Sequence, residues 1–366
     1  MRPNVILLQT CLGSAGWLVS MNTIDFSCNV NPLGPPKGLL NKVDLEKLVS
    51  SYPDFTNQEA IKSLCEHYAL QADSLAVGVG STEFFFTIPE AFDISTGVVV
   101  VPAFWEYETS LRRAGKKVLH FETQANDAFQ IDFDGLRKLL STIKNTAHAL
   151  YIGNPNNPTS ALTNPKDILK LCEEFPETKV IVDETYLLFR PDYDKLSLMG
   201  RVSEHTNLIV VTSFSKFFTI PGVRIGVCCS SQGNIEAIKK HQIPYGVNNL
   251  AQALIPYVLE SSDFIRESRE FMENERRRVY ELAKGNPHLQ PYEPQANFML
   301  VRLRDEDVSS EGIVDYLKQK NLIVRDGSEF SGLGKKYIRF SIRGSEDNNL
   351  LLKTITNYHN SKTKPS

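Results

Sequence analysis

The sequence predicts an α/β protein: a mostly parallel, doubly wound sheet in a large domain, followed by a smaller α+β domain. Three observations carry this. Short β-branched runs at 75–79, 97–101, 149–152, 179–182, 208–212 and 224–229 alternate with helical patterns, which is the mark of βαβ units. A long helical stretch from Asn249 to about Lys284, interrupted near Ser261-Ser262, then closes the alternation. Beyond it the pattern changes to strand 297–303, helix 311–320, strand 322–325, strand 337–342 and helix 348–357. The expected division is an N-terminal arm with part of the small domain at 1–35, a large domain at 36–255 and a small domain at 256–366.

At 366 residues the chain is long enough for two such domains. With 40 Lys and Arg against 43 Asp and Glu, the net charge of −3 makes no electrostatic case for nucleic acid or an anionic membrane. The basic cluster Arg276-Arg277-Arg278 follows Glu270, Glu273 and Glu275 and reads as a charged helix face. Six cysteines form no Cys-x-x-Cys pair or metal spacing. Cys228-Cys229 lie in an apolar strand-like run and read as buried free thiols, which fits a reducing cytoplasmic setting. The apolar stretch 5–21 follows Arg2 and contains Cys11 and Ser14-Ala15-Gly16, so a signal peptide or a lipidated cysteine competes with an N-terminal arm. The arm is the favoured reading, with Met21 as an alternative start. The stretch is too short and interrupted to span a bilayer.

In a doubly wound sheet, ligands collect at the carboxyl ends of the strands, and chemistry-bearing residues fall there repeatedly. Gly78-Val79-Gly80-Ser81-Thr82-Glu83 is a strand, a glycine turn and a helix start. Helix N-terminal N–H groups favour a phosphate there, and the plain alternative is a helix capped by Ser81 or Thr82. Pro102-Ala103-Phe104-Trp105-Glu106-Tyr107 ends a strand with aromatics; Phe104 can stack on a flat ring or simply pack in the core. Gly153-Asn154-Pro155-Asn156-Asn157-Pro158-Thr159 has two Asn-Pro steps that pin a loop and hold an Asn amide at a strand end. Val180-Ile181-Val182-Asp183-Glu184-Thr185-Tyr186 puts an acid straight after a buried strand. Such an acid is costly without a cationic partner; a protonated pyridine nitrogen would serve, and a helix cap is the alternative.

Ser213-Phe214-Ser215-Lys216 sets a lysine between hydroxyls, and Pro221-Gly222-Val223-Arg224 brings an arginine shortly after. A lysine amine can hold an aldehyde as an imine, while hydroxyls and a guanidinium grip a phosphate ester. Pyridoxal 5'-phosphate carries both groups. Alone, the lysine could equally sit on a solvated loop.

Taken together the motifs resemble the fold-type I pyridoxal-phosphate enzymes of the class I/II aminotransferase superfamily. The resemblance implies Lys216 as the imine lysine, Asp183 as the pyridinium partner and Phe104 as the stacking ring. It implies Asn157 and Tyr186 at the phenolic oxygen, and Gly80, Ser81, Thr82, Ser213, Ser215 and Arg224 around the phosphate. Tyr52, in Ser51-Tyr52-Pro53-Asp54, matches a tyrosine that reaches the neighbouring subunit's cofactor, which implies a homodimer.

The runs 25–36, 241–248 and 322–343 are similar to the branch that holds threonine-phosphate decarboxylases and histidinol-phosphate aminotransferases, and the similarity extends from about Ile24 to Leu351. This implies Arg339 as a bidentate clamp on a substrate carboxylate, a job that lysine does poorly, and Asn29 and Arg325 as receivers of a substrate phosphate. Otherwise these residues read as a surface ion pair and a loop cap. Three departures stand out. A His-Gly-Gly-Asn segment usual before Asp-Phe-Ser is missing, Ser160 replaces a glycine after Asn-Pro-Thr, and Ser215 replaces a frequent threonine. The implied activity is decarboxylation of a small phosphorylated amino acid, threonine or serine phosphate, for a cobamide linker. The sister activity is transamination with 2-oxoglutarate. A silent pyridoxal-phosphate-binding regulator is a third reading; Lys216 and Asp183 argue against it.

Overall fold

A computed structural model of the chain describes residues 23–143 and 147–362. Cys11 and the rest of the stretch 5–21 lie outside the described residues, as do the last residues of the tail. The strands are β1 (Ile24–Asp25), β2 (Leu75–Val79), β3 (Thr96–Val101), β4 (Lys117–Glu122), β5 (His148–Gly153), β6 (Thr178–Asp183), β7 (Leu208–Ser213), β8 (Ile225–Ser230), β9 (Leu289–Pro291), β10 (Phe298–Leu303), β11 (Leu322–Ile323), β12 (Arg325–Asp326) and β13 (Tyr337–Ser341). Seven of them form one sheet in the order β2-β8-β7-β6-β5-β3-β4.

The alternating sequence pattern becomes this sheet because its strands bury both faces. Along β3, Val98 and Val100 join one apolar cluster while Val99 and Val101 join the other. Leu150 and Ile152 of β5 likewise face away from Ala149 and Tyr151, as the two-residue period of a strand requires. Truncating a fully buried Leu such as Leu150 to Ala costs about 2–5 kcal/mol.

From β4 to β7 neighbouring strands are parallel, but β8 runs antiparallel to both β7 and β2. The link from Ser213 to Ile225 holds only the short helix Phe214–Phe217, too little for the crossover that a parallel neighbour needs. The chain therefore reverses, and Ser213 lies opposite Gly226 in register. This reversal keeps Lys216 and Arg224 at one end of the sheet. The edge strand β4 gave no clear sequence signal, because its apolar residues Val118, Leu119 and Phe121 do not alternate strictly with polar ones and the strand is half-exposed.

The smaller sheet has the antiparallel order β12-β13-β10-β9. The stretch 322–325, expected as one strand, is split. Leu322 and Ile323 pair in parallel with β1, whereas Arg325 and Asp326 pair with β13. The change of partner ties residues 24–25 to the C-terminal part of the chain. The long helical stretch divides at Ser261 into Asn249–Glu260 and Ser262–Lys284, as expected. Cys228 and Cys229 are buried free thiols in β8. No helix among the described residues is long and apolar enough to cross a membrane.

Candidate active site

A cavity opens where the carboxyl ends of the parallel strands meet the small sheet. Lys216, Ser81, Thr82, Phe104, Asn157, Asp183, Tyr186, Ser213, Ser215, Arg224, Asn29, Arg325 and Arg339 all line it.

Its first end is built by the turns after β2 and β7. Gly80 starts the helix Ser81–Ala91 at φ 75°, and neither hydroxyl beside it caps the helix. The capped-helix alternative is thus not what forms, and the first-turn N–H groups stay available to an anion. Glycine is required here: a Cβ on Gly80 would lie 2.5 Å from Arg224 Nη2, and one on Gly226 would lie 2.4 Å from the Ser81 nitrogen. The two segments cross so closely that Arg224, itself at φ 62°, reaches the helix start. Ser213 Oγ donates to Ile225 O at 2.8 Å and accepts from the Ser215 N–H at 3.3 Å. These bonds fix both hydroxyls beside the half-buried Lys216.

Asp183 closes β6 at the cavity floor. Its Oδ1 accepts from the Thr185 N–H at 2.9 Å, and its Oδ2 accepts from Tyr107 Oη at 2.7 Å. Burial nevertheless drives its carboxyl above the ordinary range, against the lowering by those bonds. The next residue, Glu184, is fully buried; burial raises it to about 7 although Leu198 N–H and Ser197 Oγ donate to it. An acid held this way at the end of a strand is unfinished without a cation above it.

The opposite end belongs to the small sheet. Register sets Arg325 of β12 directly opposite Arg339 of β13. Both are buried, at 6% and 3% exposure. Like charges facing across strands repel. Among the described residues, Arg325 Nη1 donates to the Glu329 carboxylate, Oε2, at 2.8 Å. Arg339 donates to neutral acceptors, Asn157 Oδ1 and Ser27 O, and its guanidinium lies 5.4 Å from the Phe298 ring. Asn29 Nδ2 donates to Tyr186 Oη at 3.4 Å, linking the two ends. Among the described residues, Asn29 Oδ1 and Arg325 Nε are buried without a partner. Such groups are costly unless a ligand satisfies them.

Sequence reasoning missed Tyr107, Trp105, Thr185 and Cys28, which also line the cavity. Tyr107 and Trp105 stood inside a quoted motif, yet nothing in that motif marks Tyr107 as the residue that reaches Asp183 across 76 positions. Gly80 acts through its backbone and is not in the wall. Tyr52 is not brought to the cavity: it is 88% exposed and packs edge-on against Tyr245.

Residues 22–355 match the family model described as aminotransferase class I and II. The chain belongs to that family. Among its relatives, the threonine-phosphate decarboxylase of Salmonella typhimurium is 26% identical over 341 residues, 91% of this chain and 90% of the relative. The histidinol-phosphate aminotransferase of Thermococcus kodakarensis is 31% identical over 335 residues, 89% of this chain and 90% of the relative. The solved histidinol-phosphate aminotransferase of Clostridium acetobutylicum superposes with TM-score 0.85 at 27% identity, covering 92% of this chain and 99% of that one. Class I and II aminotransferases depend on pyridoxal 5'-phosphate, and the donor set fits that group. A lysine, a buried acid needing a cation, an aromatic face and an uncapped helix start beside an arginine correspond to its aldehyde, ring nitrogen, ring and phosphate.

Proposed function

We propose that this class I and II family member decarboxylates a small phosphorylated amino acid, L-threonine O-3-phosphate or L-serine O-phosphate. The product, aminopropanol phosphate or ethanolamine phosphate, would serve as a cobamide linker. The observation that carries this reading is the pair of buried arginines facing each other across β12 and β13. Two buried cations facing each other suit a ligand with two acidic groups, a carboxylate on Arg339 and a phosphate on Arg325 and Asn29. Curated relatives of both activities are similarly close, so the choice of decarboxylation rests on the segments 25–36, 241–248 and 322–343.

In this reading, Ser81, Thr82, Ser213, Ser215 and Arg224 hold the cofactor phosphate, Asn157 and Tyr186 its phenolic oxygen, and Phe104 its ring face. Bound pyridoxal 5'-phosphate supplies a conjugated ring that takes up the electrons of whichever Cα bond stands perpendicular to it. Asp183, ionised, holds the positive charge on the ring nitrogen. Arg339 and Arg325 grip the substrate at two points and so select the bond. In decarboxylation CO2 would leave from Cα and Lys216 would deliver the proton that replaces it; in transamination Lys216 would instead remove the Cα proton.

A second copy of the chain completes the site. Tyr52, Phe55, Ile243 and Tyr245 are all more than half exposed and sit on neighbouring segments. They suit a dimer contact that would carry Tyr52 to the partner's cofactor phosphate.

Incubation with pyridoxal 5'-phosphate and each phospho-amino acid tests the reading. CO2 release without any keto acid supports it. Turnover that requires 2-oxoglutarate and releases no CO2 overturns it in favour of a histidinol-phosphate or related aminotransferase, the reading favoured by the 31% identity noted above.

A further inference from the structure

The cavity wall between the two ends is an indole. Trp105 lines the cavity next to Phe104, with the two rings 5.2 Å apart, and the Arg325 guanidinium lies 5.1 Å from its ring centre. On a third side the Phe330 ring is 5.6 Å away. Trp105 Nε1 donates to Glu106 Oε1 at 3.0 Å, and its carbonyl accepts from Thr109 Oγ1 at the start of the helix Glu106–Arg113. A ring held by two aromatic neighbours, a cation and a hydrogen bond is a fixed wall rather than a mobile side chain.

Its position gives that wall two jobs. It spans the gap between the ring-stacking Phe104 and the cation Arg325, so it bounds the space beside any ligand that bridges them. It also orients Arg325 from one side while Glu329 holds it from the other at 2.8 Å. The Nε of this buried arginine is left without an acceptor.

Building on the function proposed above, we propose that Trp105 determines specificity: its indole restricts the site to aliphatic phospho-amino acids with a short carbon chain and rejects those carrying a ring between amine and phosphate. A short backbone passes beside the indole to reach Arg325. An imidazole-bearing ligand would bring a ring into the space between Phe104 and Arg325 that the indole bounds. Trp105 does no chemistry itself; it positions Arg325 and sets the length and width of the ligand.

Titration of the holoenzyme with O-phospho-L-threonine and with L-histidinol phosphate, followed by the change in cofactor absorbance, tests this alongside steady-state rates. Wild type is expected to bind the aliphatic ligand at least about tenfold tighter, and Trp105→Ala to lose or invert that preference. KM for the aliphatic substrate should rise more than kcat falls, because the positioning of Arg325 loosens. Trp105→Phe, which keeps an aromatic face for the guanidinium, should restore KM more than the alanine variant does. Unchanged selectivity in a folded, cofactor-loaded Trp105→Ala overturns this inference and leaves the decarboxylase reading standing. Tighter binding of histidinol phosphate by wild type also overturns it. Transamination of the aliphatic substrate by wild type overturns the decarboxylase reading while leaving the role of Trp105 intact.

Discussion

The two ends of the cavity are made in different ways. The end with Lys216, Asp183, Ser81 and Arg224 comes from the termini of adjacent strands in one sheet, each followed by a tight turn. The end with Arg325, Arg339 and Asn29, and the Trp105 wall that leads to it, are assembled from three distant segments: the loop after β1, the turn after β3 and the small sheet. Local backbone geometry holds the first; tertiary packing and cross-strand register hold the second. The proposed cofactor contacts are therefore carried by short contiguous motifs, while the proposed ligand contacts come from residues that meet only after the small sheet packs.

Lys216→Ala should have the largest effect of any change at either end. Loss of the amine that moves the proton is expected to lower kcat by at least about 10³-fold, beyond the usual contribution of one proton-transfer group because imine formation is lost too. Borohydride trapping with peptide mapping should place the label on residue 216 in wild type and nowhere in the variant. A label elsewhere would break the assignment of the first end.

Arg339→Lys sharpens the contrast at the second end. Lysine cannot reproduce the fork that serves Asn157 and a ligand carboxylate together, so kcat/KM should fall about 10–150-fold, the equivalent of roughly 1.5–3 kcal/mol. Binding of pyridoxal 5'-phosphate alone should stay within about twofold of wild type, as measured by absorbance titration. A matching loss of cofactor affinity would show that the two ends are not separable.

Glu184→Gln probes what burial costs at the first end. Its folded pKa, raised to about 7, exceeds the unfolded one, so its contribution to stability is fully present below about pH 4.5 and is lost as pH rises through 7. Glutamine should therefore stabilise the cofactor-free protein on the order of 2 kcal/mol at pH 8 and little at pH 5, read by denaturant midpoints at both values. Equal effects at the two pH values would contradict a buried acid in that state.

The smallest effect is expected from Tyr107→Phe. Removing the 2.7 Å bond that lowers Asp183 should push that carboxyl up further, moving the acid limb of cofactor binding to higher pH with a loss of about 1 kcal/mol near neutrality. An unchanged limb would mean that Tyr107 only packs.

The sequence made much of this protein legible. The alternation of Val98 and Val100 with Val99 and Val101 already states a strand buried on both faces, and β2 appears at the bounds expected for it. Asn-Pro steps and a glycine turn mark strand ends because proline restricts the backbone and Gly80 takes a positive φ, whereas Ser-x-Ser-Lys marks one by its side-chain chemistry. β4 was not legible, since a half-exposed edge strand with Val118 and Leu119 adjacent shows no strict two-residue period, nor was the split of 322–325, since both halves look equally extended.

What chain order determined on its own was therefore the layered α/β plan and the local motifs from which the proposed site is built, because these depend on backbone preferences spanning a few residues. What only the folded structure decided was that Arg325 faces Arg339, that Tyr107 reaches Asp183 and that Trp105 walls the gap between the two ends. Those contacts join residues tens to hundreds of positions apart. Register and packing set them, and no local signal encodes which distant side chain will arrive.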